Sequence, residues 1–291
     1  MKLSVIVPTW NRRNNIVRTL ICLQRQEIRD EQEVEIIVVD DNSTDETGVS
    51  ILKNIAQNTK NLKYIYRNNR TVWNASIPRN LGARISRTDG DCLLFLDSDI
   101  LLPPDRIQRY IDIWSEKQQP NRVLIGPYHF VNKDIETDHP LWYQNITDYS
   151  QDIRWQSFEE HSPDELNKGL GFALACFGGS LMIPRDLFFK AGGYDETMLS
   201  GVEDGDFGLT LWESGAVFSM DKGLLGWHQP HEIVPERTQF IQECVKRIDE
   251  KHGIDIIKET GEVYRKWGLD WEPPASWVGD ANFQRKEDKD S

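Results

Sequence analysis

The sequence predicts an α/β fold in which a mostly parallel central sheet carries helices on both faces. Two patterns and a placement point to it. Nearly unbroken apolar runs, Leu3 to Val7, Val34 to Val39 and Leu93 to Leu96, lack the apolar–polar alternation of a half-exposed strand, so they read as strands covered on both faces. Segments of helical period stand between them, the order that builds parallel sheets. The second and third runs end in carboxylates, Asp40-Asp41 and Asp97-Ser98-Asp99. Ligands of such sheets bind beyond the carboxyl ends of the strands, where these groups converge.

Taken in order, the strand Leu3 to Pro8 precedes a helix through Ile16, Leu20 and Leu23, with Asn11 or Asn14 as its cap. The strand Val34 to Val39 leads through Asp40-Asp41-Asn42-Ser43-Thr44-Asp45 into a helix containing Ile51 and Ile55. A short strand, Leu62 to Tyr66, and a helix around Arg79 to Ile85 follow, the small Gly82 and Ala83 implying close helix packing. The strand ending at Asp97 comes next, then a helix from about Pro104 to Lys117 and a strand Val123 to Ile125. From Phe130 to Lys168 periodicity is lost, and Trp142, Tyr143, Tyr149, Trp155 and Phe158 stand among polar residues. This stretch reads either as an insertion or lid that helps choose a ligand, or as an excursion packed on the body. The order resumes with Phe177 to Pro184, Gly192-Gly193-Tyr194-Asp195-Glu196 and a helix Phe207 to Glu213. Ile233 to Lys266 has helical character broken near Gly253. The expected organisation is a core over 1–232 with an aromatic insertion at about 130–168, a helical extension over 233–272 and a mobile tail over 273–291.

Composition narrows the function. A net charge of -13 over 291 residues argues against a nucleic-acid partner bound through a broad basic surface, and against tight binding to anionic lipid. No window approaches the roughly 18 apolar residues of a membrane span. Met1-Lys2 runs straight into the first strand, so the expected compartment is the cytoplasm, with membrane contact at most peripheral. Cys22, Cys92, Cys176 and Cys244 are scattered, the pattern of reduced structural thiols and not of a zinc site or disulfide framework.

Several residues suit chemistry. An Asp97-x-Asp99 pair at a strand end holds a hard divalent cation together with a diphosphate, and side-chain alternation puts both carboxylates on one side. Asp40 and Asp41 can accept hydrogen bonds from a base or a ribose, while Asp45 suits a turn that caps the next helix. Arg79 is placed to neutralise a phosphate or to fix Asp40 or Asp97. Glu203-Asp204-Gly205-Asp206 precedes a helix, where one carboxylate serves as a cap and another can act as general base toward a hydroxyl. Trp227-His228-Gln229-Pro230-His231 offers two imidazoles as metal ligands. Dinucleotide-binding and P-loop glycine patterns are absent from the sequence.

In order, Val5-Ile6-Val7-Pro8-Thr9, Val38-Val39-Asp40-Asp41-Asn42-Ser43-Thr44-Asp45, Arg79-Asn80-Leu81-Gly82, Asp97-Ser98-Asp99 and Gly192-Gly193-Tyr194-Asp195-Glu196 with Glu203-Asp204 resemble the family 2 glycosyltransferases of GT-A fold. Gly178 to His231 is similar to the transferase modules of bacterial chondroitin polymerases. The resemblance implies a metal-dependent inverting hexosyl- or N-acetylhexosaminyltransferase, moving a sugar from a UDP-sugar to a hydroxyl of a saccharide, lipid-linked or small-molecule acceptor. It implies that Pro8, Thr9, Asn11 and Asp40 hold the nucleoside, that Arg79, Asp97 and Ser98 support the rest of the nucleotide, and that Asp99 and His228 bind Mn or Mg. Asp204 is the implied base, with Glu203 and Gly179 at the donor or acceptor sugar. The membrane-polymerase signature Gln-x-x-Arg-Trp is missing, which argues against processive synthesis. The competing expectation is a silent nucleotide-sugar or glycan-binding protein of the same fold.

Overall fold

Unalternated apolar strands bury both faces, and the computed structural model shows two hydrophobic layers divided by residue parity. It describes residues 1–58, 61–68, 74–116, 119–139, 141–155, 169–199, 201–232 and 240–278. Val5, Val7, Leu94, Leu96 and Met182 belong to one cluster with Ile16, Leu20, Ile51 and Ile107, which come from helices Arg13–Gln24, Thr47–Asn58 and Arg106–Glu116. Ile6, Leu93, Phe95, Leu181 and Ile183 point the other way, onto Ala83, Phe207, Ile248 and Val263. Those four side chains come from helices Ser76–Ile85, Glu203–Glu213, Ile241–His252 and Ile256–Lys266. Gly82 is required by the contact: a Cβ there would lie 2.4 Å from Ile6 Cγ2.

The strands are β1 (Lys2–Thr9), β2 (Glu33–Asp40), β3 (Leu62–Tyr66), β4 (Cys92–Leu96), β5 (Ile100–Leu101), β6 (Arg122–Ile125), β7 (Tyr128–Val131), β8 (Tyr149–Ser150), β9 (Ser180–Pro184), β10 (Val217–Met220) and β11 (Gly226–His228). The main sheet has seven strands in the order β10-β6-β9-β4-β1-β2-β3, and a second sheet has four in the order β5-β11-β7-β8. All pairings of the main sheet are parallel except those of β9, which runs antiparallel to β4 and β6. Parallel register sets Thr9 beside Asp40, and the reversed β9 brings its N-terminal end, preceded by Gly178 and Gly179, to the carboxyl end of β4. One sheet edge therefore gathers four chain segments.

Three local expectations change. Neither Asn11 nor Asn14 caps the first helix. Its leading N–H groups are taken by the loop after β2 and the start of the next helix, Arg12 N donating to Thr47 Oγ1 at 3.1 Å and Arg13 N to Asp45 Oδ2 at 3.2 Å. Strand β4 stops at Leu96, so alternation does not govern the carboxylates beyond it. Ile100 N closes a turn on the Asp97 carbonyl, and Ile100–Leu101 enters the second sheet. The third change concerns the helix expected from Phe207, which starts at Glu203, so its carboxylates occupy the first turn, where the helix dipole favours them.

Phe130 lies within β7 and is 41% exposed, whereas the two tryptophans of the aromatic stretch pack on the body. Trp142 is buried with Cys22, Leu101, Val131 and Trp227, and Trp155 lies against His129. Arg154 is fully buried: its Nε donates to Asp152 Oδ1 at 2.8 Å, its Nη1 to the Ala175 carbonyl at 2.9 Å, and its guanidinium covers the Phe177 ring. Residues 156–168, including Phe158, lie outside the described residues, as do 233–239 at the head of the expected C-terminal helix and 279–291 of the expected tail. All four cysteines are buried, and burial pushes the Cys22 thiol up to about 12.

The helix Ile241–His252, ended by Gly253 in the left-handed region, is fastened to Glu203–Glu213 by charge. Lys251 Nζ lies 2.7 and 2.8 Å from the two Asp206 oxygens, and His252 places Nε2 3.1 Å from Asp206 Oδ1 and Nδ1 2.8 Å from Glu213 Oε1. With a carboxylate at each ring nitrogen, only the imidazolium satisfies both. Burial opposes that charge, yet the bonds to Asp206 and Glu213 outweigh it and raise the His252 pKa above its ordinary 6.5. A raised folded value means that the stabilisation is complete below the unfolded pKa and fades as pH rises through the folded one. His252→Gln is expected to lower the unfolding free energy by about 1–2 kcal/mol at pH 6, and by less at pH 8.5. Urea unfolding at both pH values checks this; equal losses would remove the imidazolium from the account.

Candidate active site

A cavity of about 390 Å³ opens where β1, β2 and β4 end. Pro8 and Thr9 from β1, Asp41 after β2, and Asp97, Ser98 and Asp99 after β4 line it, as do His228 at the end of β11 and His231 just beyond it. Glu203 and Asp204 close it from the first turn of their helix.

Asp97 and Asp99 both face this space but serve different partners. Asp97 is fixed from behind, its N–H donating to the Gly179 carbonyl at 2.9 Å and its Oδ1 accepting from Arg79 Nη2 at 2.9 Å. Burial pushes its carboxyl up, Arg79 pulls it down and Asp99 pushes it up again, with a net rise. Asp99 has His231 Nε2 3.2 Å from Oδ2, His228 Nε2 3.7 Å from Oδ1 and Arg12 Nε 4.0 Å away. Burial opposes its charge, but His231, His228 and Arg12 prevail and hold it below the usual carboxylate range.

Asp99, His228 and His231 present ligand atoms that lie within 4.8 Å of one another. The donor set fits a divalent cation. Among the described residues Asp99 Oδ1 is buried without a hydrogen-bond donor, and His231 Nδ1 lies 2.9 Å from the Glu232 carbonyl and 3.0 Å from Arg12 Nη2, so the tautomer that donates Nδ1–H to the carbonyl is the one that would turn a bare Nε2 toward a metal. Two imidazoles beside one carboxylate suit Mn better than Mg, which prefers oxygen throughout.

Arg79 joins the two halves of the site. It is 3% exposed, and its Nη1 donates to Glu203 Oε1 at 3.0 Å and stands 3.6 Å from Asp204 Oδ1 while Nη2 holds Asp97. The three first-turn carboxylates divide their work: Glu203 is held by Arg79, Asp206 by Lys251 and His252, and Asp204 keeps a quarter of its side chain exposed in the cavity. Gly178 makes room for it, because a Cβ there would lie 2.3 Å from Asp204 Oδ1.

The model of the family described as glycosyl transferase family 2 matches residues 4–179, more than half of the chain. The chain belongs to that family. It is 25% identical over 245 residues to a chondroitin synthase of Escherichia coli, an alignment covering 78% of this chain and 34% of that protein. It thus spans about a third of that relative's length. Among solved structures, S. aureus TarS in complex with UDP-GlcNAc superposes with a TM-score of 0.64 at 19% identity, over 91% of this chain and 72% of the other. A mannosyltransferase from Pyrobaculum calidifontis in complex with GDP-Man and Mn2+ gives 0.56 at 18%, over 94% and 66%. These likenesses carry the fold, and with it the GT-A architecture.

The family's motif residues do not all reach the cavity. Asp40 is fully buried as the last residue of β2, its Oδ1 accepting from Ser43 N at 2.9 Å and its Oδ2 from the Tyr64 hydroxyl at 2.9 Å; the cavity-lining carboxylate is Asp41, one residue on. Asn11 does not line the cavity either, since its Oδ1 accepts from Thr44 N at 2.7 Å and its N–H donates to Ser43 Oγ at 2.9 Å. Gly179 stands behind Asp97, where a Cβ would lie 3.2 Å from Asp97 Oδ2 and 3.1 Å from the Tyr128 ring. Trp142 and Trp155 are likewise absent from the lining, whereas Trp10, Ile256, Thr260 and Trp277 belong to it. What separates Asp41 from Asp40 is the end of β2, which runs through Asp40 and leaves Asp41 beyond it. Nothing in the sequence marks the last three.

Proposed function

We propose that this chain transfers a sugar from a nucleoside-diphosphate donor, a UDP-sugar by preference, to an acceptor hydroxyl with inversion at the anomeric carbon. The observation that carries the reading is one cavity holding a cation-binding set, Asp99, His228 and His231, and a carboxylate, Asp204, with Arg79 between them. In this reading residues 1–232 form the transfer core and the helices after 240 an extension that closes one wall. Pro8, Thr9 and Asp41 enclose the nucleoside, Asp41 accepting a base or ribose hydrogen bond. Support for a nucleotide donor comes from the fold neighbours, which hold UDP-GlcNAc and GDP-Man.

Asp99, His228 and His231 would hold Mn or Mg, which when bound neutralises charge building on the departing diphosphate. Asp204 takes the proton of the acceptor hydroxyl as that oxygen bonds to the anomeric carbon and the bond to the diphosphate oxygen breaks. One displacement inverts the centre, so no covalent enzyme intermediate is needed. Arg79 keeps Asp97, Glu203 and Asp204 in fixed positions from behind. No described helix is long and apolar enough to cross a membrane.

Calorimetric titration with UDP, with and without Mn, tests the donor half. Asp99→Ala is expected to weaken Mn-supported UDP binding by at least about tenfold, the effect of losing one charged contact of roughly 1.4 kcal/mol. Binding by the variant equal to wild type would sink the metal assignment. Metal-dependent binding without transfer to any acceptor would favour the silent sugar-nucleotide-binding reading.

A further inference from the structure

Part of the cavity wall comes from beyond the family match at 4–179. Ile256 and Thr260, one helical turn apart on Ile256–Lys266, back the cavity wall with only 1% and 5% of their surface exposed, and Trp277 joins them from the short helix Ala275–Val278. This wall adjoins the proposed base: a Cβ on Gly205, the residue after Asp204, would lie 3.5 Å from Ile256 Cδ1. Trp277 is braced. Its ring is 6.1 Å from Trp271 at 69°, and Trp271 in turn packs 6.0 Å from Tyr264 and over Gly261, where a Cβ would lie 3.4 Å from the indole. The Trp277 side chain is only half-buried, so it retains surface for a ligand.

We propose that Trp277, backed by Ile256 and Thr260, forms the acceptor subsite and that the acceptor is a saccharide, one pyranose ring laying its C–H face on the Trp277 indole while a hydroxyl reaches Asp204. The proposal rests on the transferase reading above. An indole offers a flat apolar face, and Asp204, a quarter of its side chain exposed in the same cavity, supplies a polar group beside it, the mixture that suits a ring apolar on its face and polar at its rim. A lipid chain calls for continuous apolar wall, which Asn74, Glu203 and Asp204 interrupt here. The aromatic residues that the sequence offers for acceptor choice, Trp142 and Trp155, are occupied elsewhere.

The test is saturation-transfer NMR on the full chain with saturating UDP and Mn, using disaccharides of glucose, galactose and N-acetylhexosamines as probes, beside calorimetry with UDP. At least one disaccharide is expected to receive saturation at its ring C–H protons. Trp277→Ala should weaken its binding about 3–10-fold and Trp277→Phe by less, with UDP affinity held within about twofold in both. Retained UDP affinity shows that the variants are folded, so a loss confined to the sugar is not a packing effect. UDP binding without any disaccharide binding, disaccharide binding indifferent to Trp277→Ala, or binding of dodecyl phosphate in place of sugars would each overturn the proposal. Failure of the wild type to bind UDP would instead fall on the transferase reading, and this proposal would fall with it.

Discussion

Asp204→Asn is expected to lower sugar transfer by about 10²–10⁴-fold, the range that a positioned general base supplies, while UDP affinity in Mn stays within about twofold of wild type. The argument lies in how the carboxylates around Asp204 are used. Glu203 is 4% exposed and bonded to Arg79, and Asp206 is 1% exposed and bonded to Lys251 and His252. Asp204 Oδ1 accepts no hydrogen bond from the described residues and stands 3.6 Å from Arg79 Nη1, close enough for charge stabilisation. Asparagine reproduces the shape and one acceptor oxygen but has no basicity. Turnover by the variant within about threefold of wild type would mean that another group takes the proton. Glu203→Gln is the control, since it disturbs Arg79 without removing the exposed carboxylate of Asp204.

The architecture was legible because its strands are buried on both faces, which forces unbroken apolar runs, and because residues at the carboxyl ends of parallel strands share an edge. Close packing of the helix bearing Arg79 was readable from Gly82, and the strand at Leu62 to Tyr66 was found to the residue. What escaped depends on where regular structure stops. Alternation predicts that Asp97 and Asp99 act as a pair only while the strand continues, yet β4 ends at Leu96 and a turn separates their partners. The same one-residue sensitivity exchanges Asp41 for Asp40 at the cavity, because β2 runs through Asp40 and spends its carboxylate on Ser43 and Tyr64.

Long-range pairings were the least legible part of the site. Whether His228 or His231 approaches Asp99 depends on a loop returning from a second sheet whose strands are two to four residues long, too short to show a period. In space both come near, one on each carboxylate oxygen. The contribution of Ile256, Thr260 and Trp277 is set by the packing of helices against the first turn at Glu203, and no spacing in the sequence encodes it. The aromatic stretch was the opposite case. Its tryptophans look like ligand contacts in a polar background, but Arg154, buried between Asp152 and Phe177, anchors its described portion to the body.

Arg79→Met is expected to lower the unfolding free energy by about 3–5 kcal/mol at pH 7, the usual cost of leaving buried charge without its partner. Arg79 serves three carboxylates from a position almost without solvent, two by hydrogen bonds of 2.9 and 3.0 Å and the third at 3.6 Å. Its own burial disfavours charge, yet the fields of Asp204 and Asp97 dominate and raise its pKa well above the ordinary value. Methionine fills much of the volume and cannot offset Glu203, which is 4% exposed on the first turn of its helix. Mutual repulsion among the three acids then adds to the desolvation cost. Arg79→Lys separates charge from geometry: one ammonium cannot reproduce the fork that reaches Asp97 and Glu203 together, so it should recover part of the stability but little of the transfer rate. Guanidinium unfolding of both variants, with transfer rates beside it, decides the matter. A loss below about 1 kcal/mol in Arg79→Met would show that water or local rearrangement compensates the acids, and that Arg79 is not what holds Asp97 and Asp204 in one constellation.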